Sequence, residues 1–244
     1  MAKPVLSGCV VFGIDLSSHS PGSPAERTVR FLLERMDAHQ IPGTWFAPAV
    51  NPRWVEQLRG SSLSHEFGLT VTGGASSQDV RRHFRVAEAA GLSLRSCAVD
   101  PHQVAPLDLL HREGVRIARP SKGTNAWAAA PVQPQALRFG VWGLPVSSFL
   151  PCRNRFGESF LLRNLMFGMR LACQQKRSFQ VVLDVDALVG AGRPGERSIE
   201  KLLAYAGRLR EEGQVQCVRL RDVDRMLRDS LASAPAQSIL RRAA

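Results

Sequence analysis

Short apolar runs alternate with amphipathic segments along most of the chain. The first run, Cys9–Asp15, is rich in β-branched residues and ends in a loop of Gly, Ser and Pro, which is typical of a buried strand. A helix is predicted to follow it, with Pro24 in the first turn and apolar positions at helical spacing over Thr28–Met36. This helix is expected to end at Gln40–Gly43, before the next apolar run.

The same alternation continues to residue 232, with one irregular loop from Pro120 to Pro134. The pattern predicts further strands at Thr44–Ala49, Leu63–Val71, Leu94–Val99, Val115–Ala118, Leu137–Trp142, Phe179–Asp186 and Val215–Leu220. It predicts further helices at Pro52–Arg59, Gln78–Ala90, Ala105–Glu113, Glu158–Gln174, Ser198–Glu212 and Asp222–Ala232. Such alternation implies parallel strands joined by right-handed crossovers, in either a doubly wound sheet or a closed barrel. We expect a single α/β domain over residues 1–232 and a flexible basic tail over 233–244.

Composition favours one large soluble domain. The chain has 244 residues, of which 44% are hydrophobic and 22% are charged. This length and this hydrophobic fraction are sufficient to bury one large core. It has no apolar run long enough to span a bilayer and no export signal at Met1–Pro4, so we expect a cytoplasmic protein. The net charge of +11 favours polyanionic partners such as nucleic acid, anionic glycan or acidic membrane. No specific nucleic-acid motif accompanies it, and the arginines are spread over predicted helices with mixed signs, which is typical of solvated helix faces.

Five segments then occur in an order that is similar to a known family. They are Val11–Asp15, Ile41–Phe46, His65–Leu69, Asp100–Val104 with the Leu-Asp-Leu-Leu that follows it, and Leu203–Gly213. Together they resemble the polysaccharide deacetylase (NodB-homology) family, particularly its bacterial members in exopolysaccharide and lipopolysaccharide biosynthesis. The resemblance spans Val10–Val223 and implies a deformed (β/α)7 barrel, with the active site at the C-terminal ends of the strands.

The family's reaction uses a divalent ion held by two histidines and an aspartate, together with a carboxylate base and an acid. By this resemblance Asp15 corresponds to the general base. The second carboxylate, a metal ligand, falls on Leu16 or Ser17, and the two histidine ligands fall on Thr70 and Gly74. None of these residues replaces a ligand of the family, so no standard metal site is expected, and a zinc-type ion only if the site has been rebuilt.

Two other catalytic positions also differ from the family pattern. His102 stands where the family has the arginine that orients the base, and Gln103 replaces the asparagine beside it. Asp186 is the nearest match to the histidine that serves the leaving group, and a carboxyl can act as that acid only with a raised pKa. The candidate catalytic residues are therefore Asp15, His102 and Asp186.

The candidate substrate-binding residues are Trp45, His65 and Asp184. Trp45 has a ring that can stack on a sugar, although a core position suits it equally. His65 belongs to a strand in the family, and we favour a buried, hydrogen-bonded role for it. Alternation along a strand would place Asp184 and Asp186 on one face, where with Asp15 they could bind a hard cation. The interpretation that we favour is that these aspartates cap the helices that follow.

Three functions remain open from the sequence. The first is a deacetylase-fold protein without the standard hydrolase site, which binds a glycan or a partner enzyme of polysaccharide synthesis. The second is an active carbohydrate deacetylase with a rebuilt, carboxylate-rich site. The third is a basic, non-enzymatic scaffold for nucleic acid or acidic lipid, which rests on the net charge alone.

Overall fold

A computed structural model describes residues 8–17, 23–72, 74–100, 106–121, 130–150 and 158–232. The strands are Cys9–Asp15 (β1), Gly43–Ala47 (β2), Glu66–Val71 (β3), Ser96–Val99 (β4), Ile117–Pro120 (β5), Gln135–Ala136 (β6), Trp142–Gly143 (β7), Ser148–Leu150 (β8), Ser178–Asp184 (β9) and Gln216–Val218 (β10). The helices are Pro24–Ala38 (α1), Pro52–Arg59 (α2), Ser77–Ala89 (α3), Leu107–Arg112 (α4), Glu158–Gln175 (α5), Val185–Glu211 (α6) and Leu220–Ala232 (α7). The predicted tail, 233–244, lies outside the described residues.

Local sequence accounts for where several helices begin. Ser23 accepts the backbone N–H of Glu26 at the start of α1, directly before Pro24. At the start of α3, Ser76 and Asp79 form a reciprocal capping box. These side chains satisfy backbone donors that a helix cannot satisfy itself, and they fix where each helix begins. Among the described helices, none has the length and apolar character that a membrane crossing requires.

The strands form one curled sheet in the order β6-β7-β5-β4-β3-β2-β1-β9-β8, with β10 also paired to β1. All of the strand pairs are parallel except that of β6 with β7. One face packs against helices through an apolar cluster that includes Val10, Phe12 and Ile14 of β1. The alternate residues Cys9 and Val11 face the interior of the curl and pack against α7. The outcome is an incompletely closed α/β barrel that is covered by helices outside and filled partly by α7.

Several predicted strands differ from the structure, and the prediction for Val215–Leu220 is wrong at its end because β10 stops at Val218 and α7 begins at Leu220. The segment Leu137–Trp142 is not one strand, because Phe139 and Gly140 adopt φ angles of 60° and 75° and turn the chain back on itself between β6 and β7. The prediction for Phe179–Asp186 is wrong at its end, since β9 stops at Asp184 and α6 begins at Val185. The sequence reading also missed β8, Ser148–Leu150, and the first part of α6. A break at Gly192, whose φ is 59°, separates that first part from the rest of the helix.

Candidate functional site at the mouth of the barrel

The mouth of the barrel, at the C-terminal ends of the strands, contains a buried ion pair. Asp15 is the last residue of β1, and its carboxylate accepts a hydrogen bond from the guanidinium of Arg119 in β5. The side chain of Arg119 is 0% exposed, whereas that of Asp15 is 25% exposed. Arg119 also donates to the carbonyl of Pro120 at 2.7 Å. A fully buried cation is therefore held against the residue that corresponds to the family's base.

Aromatic packing supports the guanidinium of Arg119 from below. Its central carbon lies 4.2 Å from the centroid of the Phe46 ring, a cation–π contact. Phe46 in turn packs on Gly68 of β3, where an added Cβ would lie 2.6 Å from a ring carbon. Only glycine fits at that position without displacing the ring. A continuous series of contacts thus runs from Gly68 through Phe46 and Arg119 to Asp15, across neighbouring and distant strands.

The ion pair also shows how strongly the sheet curls. Between β1 and β5 lie three strands, β2, β3 and β4. A flat sheet would hold Asp15 and Arg119 well apart, because neighbouring strands are about 4.8 Å from one another. Their direct contact means that Arg119 crosses the interior of the barrel. The side chain therefore occupies the interior of the barrel just below the mouth, on one side of Asp15.

Burial and nearby charges act in opposite directions on Asp15. Burial raises the pKa of its carboxyl above the ordinary value, and the positive charge of Arg119 opposes that rise. The carboxylate of Asp184 adds to the rise, because β1 and β9 pair with Asp15 directly beside Asp184. The structure thus brings two of the predicted site residues together at one end of adjacent strands.

Asp184 and Asp186 do not share a strand face. The side chain of Asp184 accepts the backbone N–H of Ala187 at 3.0 Å and caps α6, which confirms the capping interpretation for this residue. Asp186 lies in the first turn of α6 and accepts a hydrogen bond from the hydroxyl of Ser17 at 2.5 Å. Both aspartates are exposed at the mouth. The prediction that strand alternation aligns them is wrong, because the chain changes from strand to helix between the two.

The residues at the family's metal positions do not fit a metal ion. Leu16 is buried in the apolar cluster between sheet and helices. Ser17 bonds to Asp186, and Thr70 and Gly74 supply no carboxylate, imidazole or thiolate. Across the described part of the chain, no group of three or more His, Cys, Asp or Glu side chains is placed to hold a metal.

Two of the three predicted substrate-binding residues lie away from the mouth. Trp45 is fully buried, so its ring offers no face on which a sugar could stack in this structure. His65 precedes β3, and its Nδ1 accepts the backbone N–H of Gly43 at 3.0 Å, at the end of the barrel opposite the mouth. Burial lowers the pKa of His65 to about 4, which keeps the ring neutral. The buried, hydrogen-bonded role favoured for His65 agrees with this placement, while His102 lies outside the described residues.

Sequence reasoning assigned no role to a second buried carboxylate, that of Glu66. Its oxygens accept hydrogen bonds from Thr44 at 2.9 Å, from Ser96 at 2.7 Å and from the backbone N–H of Arg221 at 3.0 Å. Thr44 also accepts the N–H of Leu220 at 2.8 Å. Glu66 therefore fastens the start of α7 inside the barrel, and its role is structural. The signal in the sequence was a glutamate at the head of an otherwise apolar strand.

Arg119 was missed as well. The sequence shows only an arginine at the end of a short apolar strand, and such residues are usually solvated. Its contact with Asp15 is 104 residues away along the chain. It supplies the positive charge beside Asp15 that the family resemblance led us to seek in the Asp100–Val104 segment.

The comparisons with known proteins show relatives in fold. No protein-family model matches the chain, and no curated protein matches it in sequence. A candidate polysaccharide deacetylase from Mycobacterium smegmatis is 17% identical with a TM-score of 0.64, over 94% of this chain and 95% of that one. A candidate polysaccharide deacetylase of O-antigen biosynthesis from Bordetella bronchiseptica is 14% identical with a TM-score of 0.50, over 91% of each chain.

A variant of the peptidoglycan deacetylase PdaC from Bacillus subtilis is 9% identical with a TM-score of 0.53, over 97% of this chain and 96% of that one. Identities this low establish a shared fold and leave chemistry open. The chain thus has the polysaccharide deacetylase fold. The predicted deformed α/β barrel and the family resemblance are confirmed at that level.

Proposed function

We propose that this protein binds a glycan at the mouth of its barrel and does not hydrolyse it by the metal-dependent route. The observation that carries the proposal is the set of side chains at the family's metal positions: Leu16 is buried among apolar groups, and Ser17, Thr70 and Gly74 supply no carboxylate, imidazole or thiolate. By the resemblance, the pair of Asp15 and Arg119 corresponds to the base and its orienting arginine, so the base is kept while the ligands of the ion are not. We place the protein in carbohydrate metabolism, where polysaccharide synthesis is the process that the resemblance implies.

The exposed carboxylates at the mouth suit the recognition of sugar hydroxyl groups. Asp184 and Asp186 are exposed, and an ionised carboxylate has about four lone-pair positions that can accept hydrogen bonds. Sugar hydroxyls donate hydrogen bonds to ionised carboxylates, and such charge-assisted bonds are about twice as strong as neutral ones. A neutral, hydroxyl-rich ligand is therefore the chemistry that this rim fits.

Binding and hydrolysis are both tested with an oligomer of N-acetylglucosamine followed by proton NMR. We expect saturation transfer from the protein to the sugar and no growth of the acetate signal, with or without added zinc. The variant D184N/D186N keeps side-chain size and the acceptor that caps α6, but removes two charges. It is expected to weaken binding about tenfold, as the loss of a charge-assisted hydrogen bond would.

The matched control is E211Q/E212Q, which also removes two carboxylates. These residues lie at the end of α6, before β10, and hence at the opposite end of the barrel. Their loss should leave binding unchanged. Absence of saturation transfer to the oligomer in the wild-type protein would overturn the glycan proposal. Zinc-dependent release of acetate would overturn the non-hydrolytic part.

A further inference from the structure

A basic cavity opens at the end of the barrel opposite the mouth. It has a volume of about 440 Å³ and lies where β4 and β5 begin, beside α7. Five arginines line it: Arg95, Arg116, Arg221, Arg225 and Arg228. Two aspartates, Asp222 and Asp224, also line the wall. The side chains therefore bring a surplus of three positive charges into one concave surface.

The two aspartates are already neutralised by arginines. Asp222 accepts hydrogen bonds from Arg219 at 2.7 and 3.0 Å, and Arg219 does not line the cavity. Asp224 is paired with Arg228 at 2.7 Å. In the ranges that the structure describes, no carboxylate oxygen lies within 4.0 Å of the guanidinium nitrogens of Arg95, Arg116 or Arg221. None of these three guanidinium groups forms a salt bridge within the described chain, although the charge of Arg221 acts on Glu66 and Asp222 from a greater distance.

Hydrogen bonds hold the guanidinium groups of Arg95 and Arg116 and the backbone of Arg221. Arg95 donates to the carbonyl of Gly114 at 3.2 Å, and the guanidinium of Arg116 contacts Nδ1 of His111 at 3.1 Å. Arg221 lies in the first turn of α7, and its backbone N–H donates a hydrogen bond to the side chain of Glu66. A ligand would therefore meet partly ordered side chains, which reduces the entropy lost on binding.

We propose that this cavity binds the phosphate or diphosphate group of a small molecule, such as a phosphorylated sugar. Guanidinium groups match the geometry of phosphate oxygens, and several of them around one concavity favour a multiply charged group. The volume lies within the range of about 300–1,000 Å³ that is usual for small-molecule sites. The cavity is separate from the mouth, so this site does not depend on the glycan proposal.

The test is a calorimetric titration with inorganic pyrophosphate at low and moderate salt. We expect binding that weakens with added salt and weakens about tenfold or more in R95Q/R221Q. The single variant R116Q, which does not alter α7, should weaken binding several-fold and covers the case in which the double variant folds poorly. R163Q/R170Q removes two exposed arginines of α5 and should bind as the wild type does.

Two further measurements separate the source of the phosphate. Neutral vesicles and vesicles that contain phosphatidic acid are compared in a sedimentation assay. If the protein sediments with the acidic vesicles and pyrophosphate abolishes this sedimentation, the phosphate belongs to a lipid headgroup. If the protein binds pyrophosphate but does not sediment with the vesicles, the phosphate belongs to a soluble ligand. No binding of pyrophosphate by the wild type, or equal losses in R95Q/R221Q and R163Q/R170Q, would overturn the proposal.

Discussion

Replacing Asp15 by asparagine is expected to lower the free energy of unfolding by about 3–5 kcal/mol, because it leaves Arg119 buried without its counter-ion. The side chain of Arg119 is 0% exposed and cannot lose its proton at ordinary pH. Without Asp15 its charge would therefore be neither solvated nor neutralised. Asparagine keeps the size of Asp15 but not its charge. The change is measured by urea denaturation followed by circular dichroism.

Two controls accompany this measurement. D186N alters an exposed carboxylate at the same mouth and should change the free energy of unfolding by about 1 kcal/mol or less, the value of one hydrogen bond. D15L/R119M replaces both charged side chains by apolar ones. It should recover most of the stability that D15N loses, because removing both partners leaves no unpaired charge in the interior. If D15N were as stable as the wild type, the ion pair would not be the fixed feature described here.

Glu66 gives the second large effect. We expect E66A to lower the free energy of unfolding by at least about 3 kcal/mol, because it leaves the hydroxyls of Thr44 and Ser96 and the N–H of Arg221 without their acceptor. Amides at the start of α7 should exchange with deuterium faster in E66A than in the wild type. The control E88A alters an exposed glutamate of α3 and should change stability by less than about 0.5 kcal/mol. Unaltered exchange in α7 would contradict the anchoring role.

The pH dependence of the E66A effect follows from the same burial. Burial raises the pKa of Glu66 above its ordinary value of 4.5, while its three hydrogen bonds act in the opposite direction. The folded state therefore binds this proton more tightly than the unfolded chain does. The resulting stabilisation is fully present below pH 4.5 and is lost as the pH rises through the folded-state pKa. The stability difference between wild type and E66A should accordingly be larger in acid than at neutral pH.

The sequence predicted the framework well where local signals were strong. The strand Cys9–Asp15 and the helix Pro52–Arg59 have the predicted bounds, because each combines a clear hydrophobic period with Pro, Gly or Asn at its ends. It failed where one element changes into another without a break in the apolar pattern. Val185 looks like a continuation of β9, yet the capping bond of Asp184 makes it the first residue of a helix.

The contacts between side chains in the site were harder to predict than the fold, because they depend on how the sheet curls. Sequence positions showed which ligands of the family are missing at Thr70 and Gly74, because a missing residue type can be read directly. They did not show that Arg119 lies against Asp15, since that contact depends on how far the sheet curls between β1 and β5. Long-range contacts across a barrel interior leave no periodic signal along the chain.

The loss of the metal ligands is tested most directly by the zinc content of the protein. The wild type is incubated with excess zinc, desalted and analysed for its elements. We predict well below one zinc ion per chain. Retention of one equivalent by the wild type would contradict the central claim.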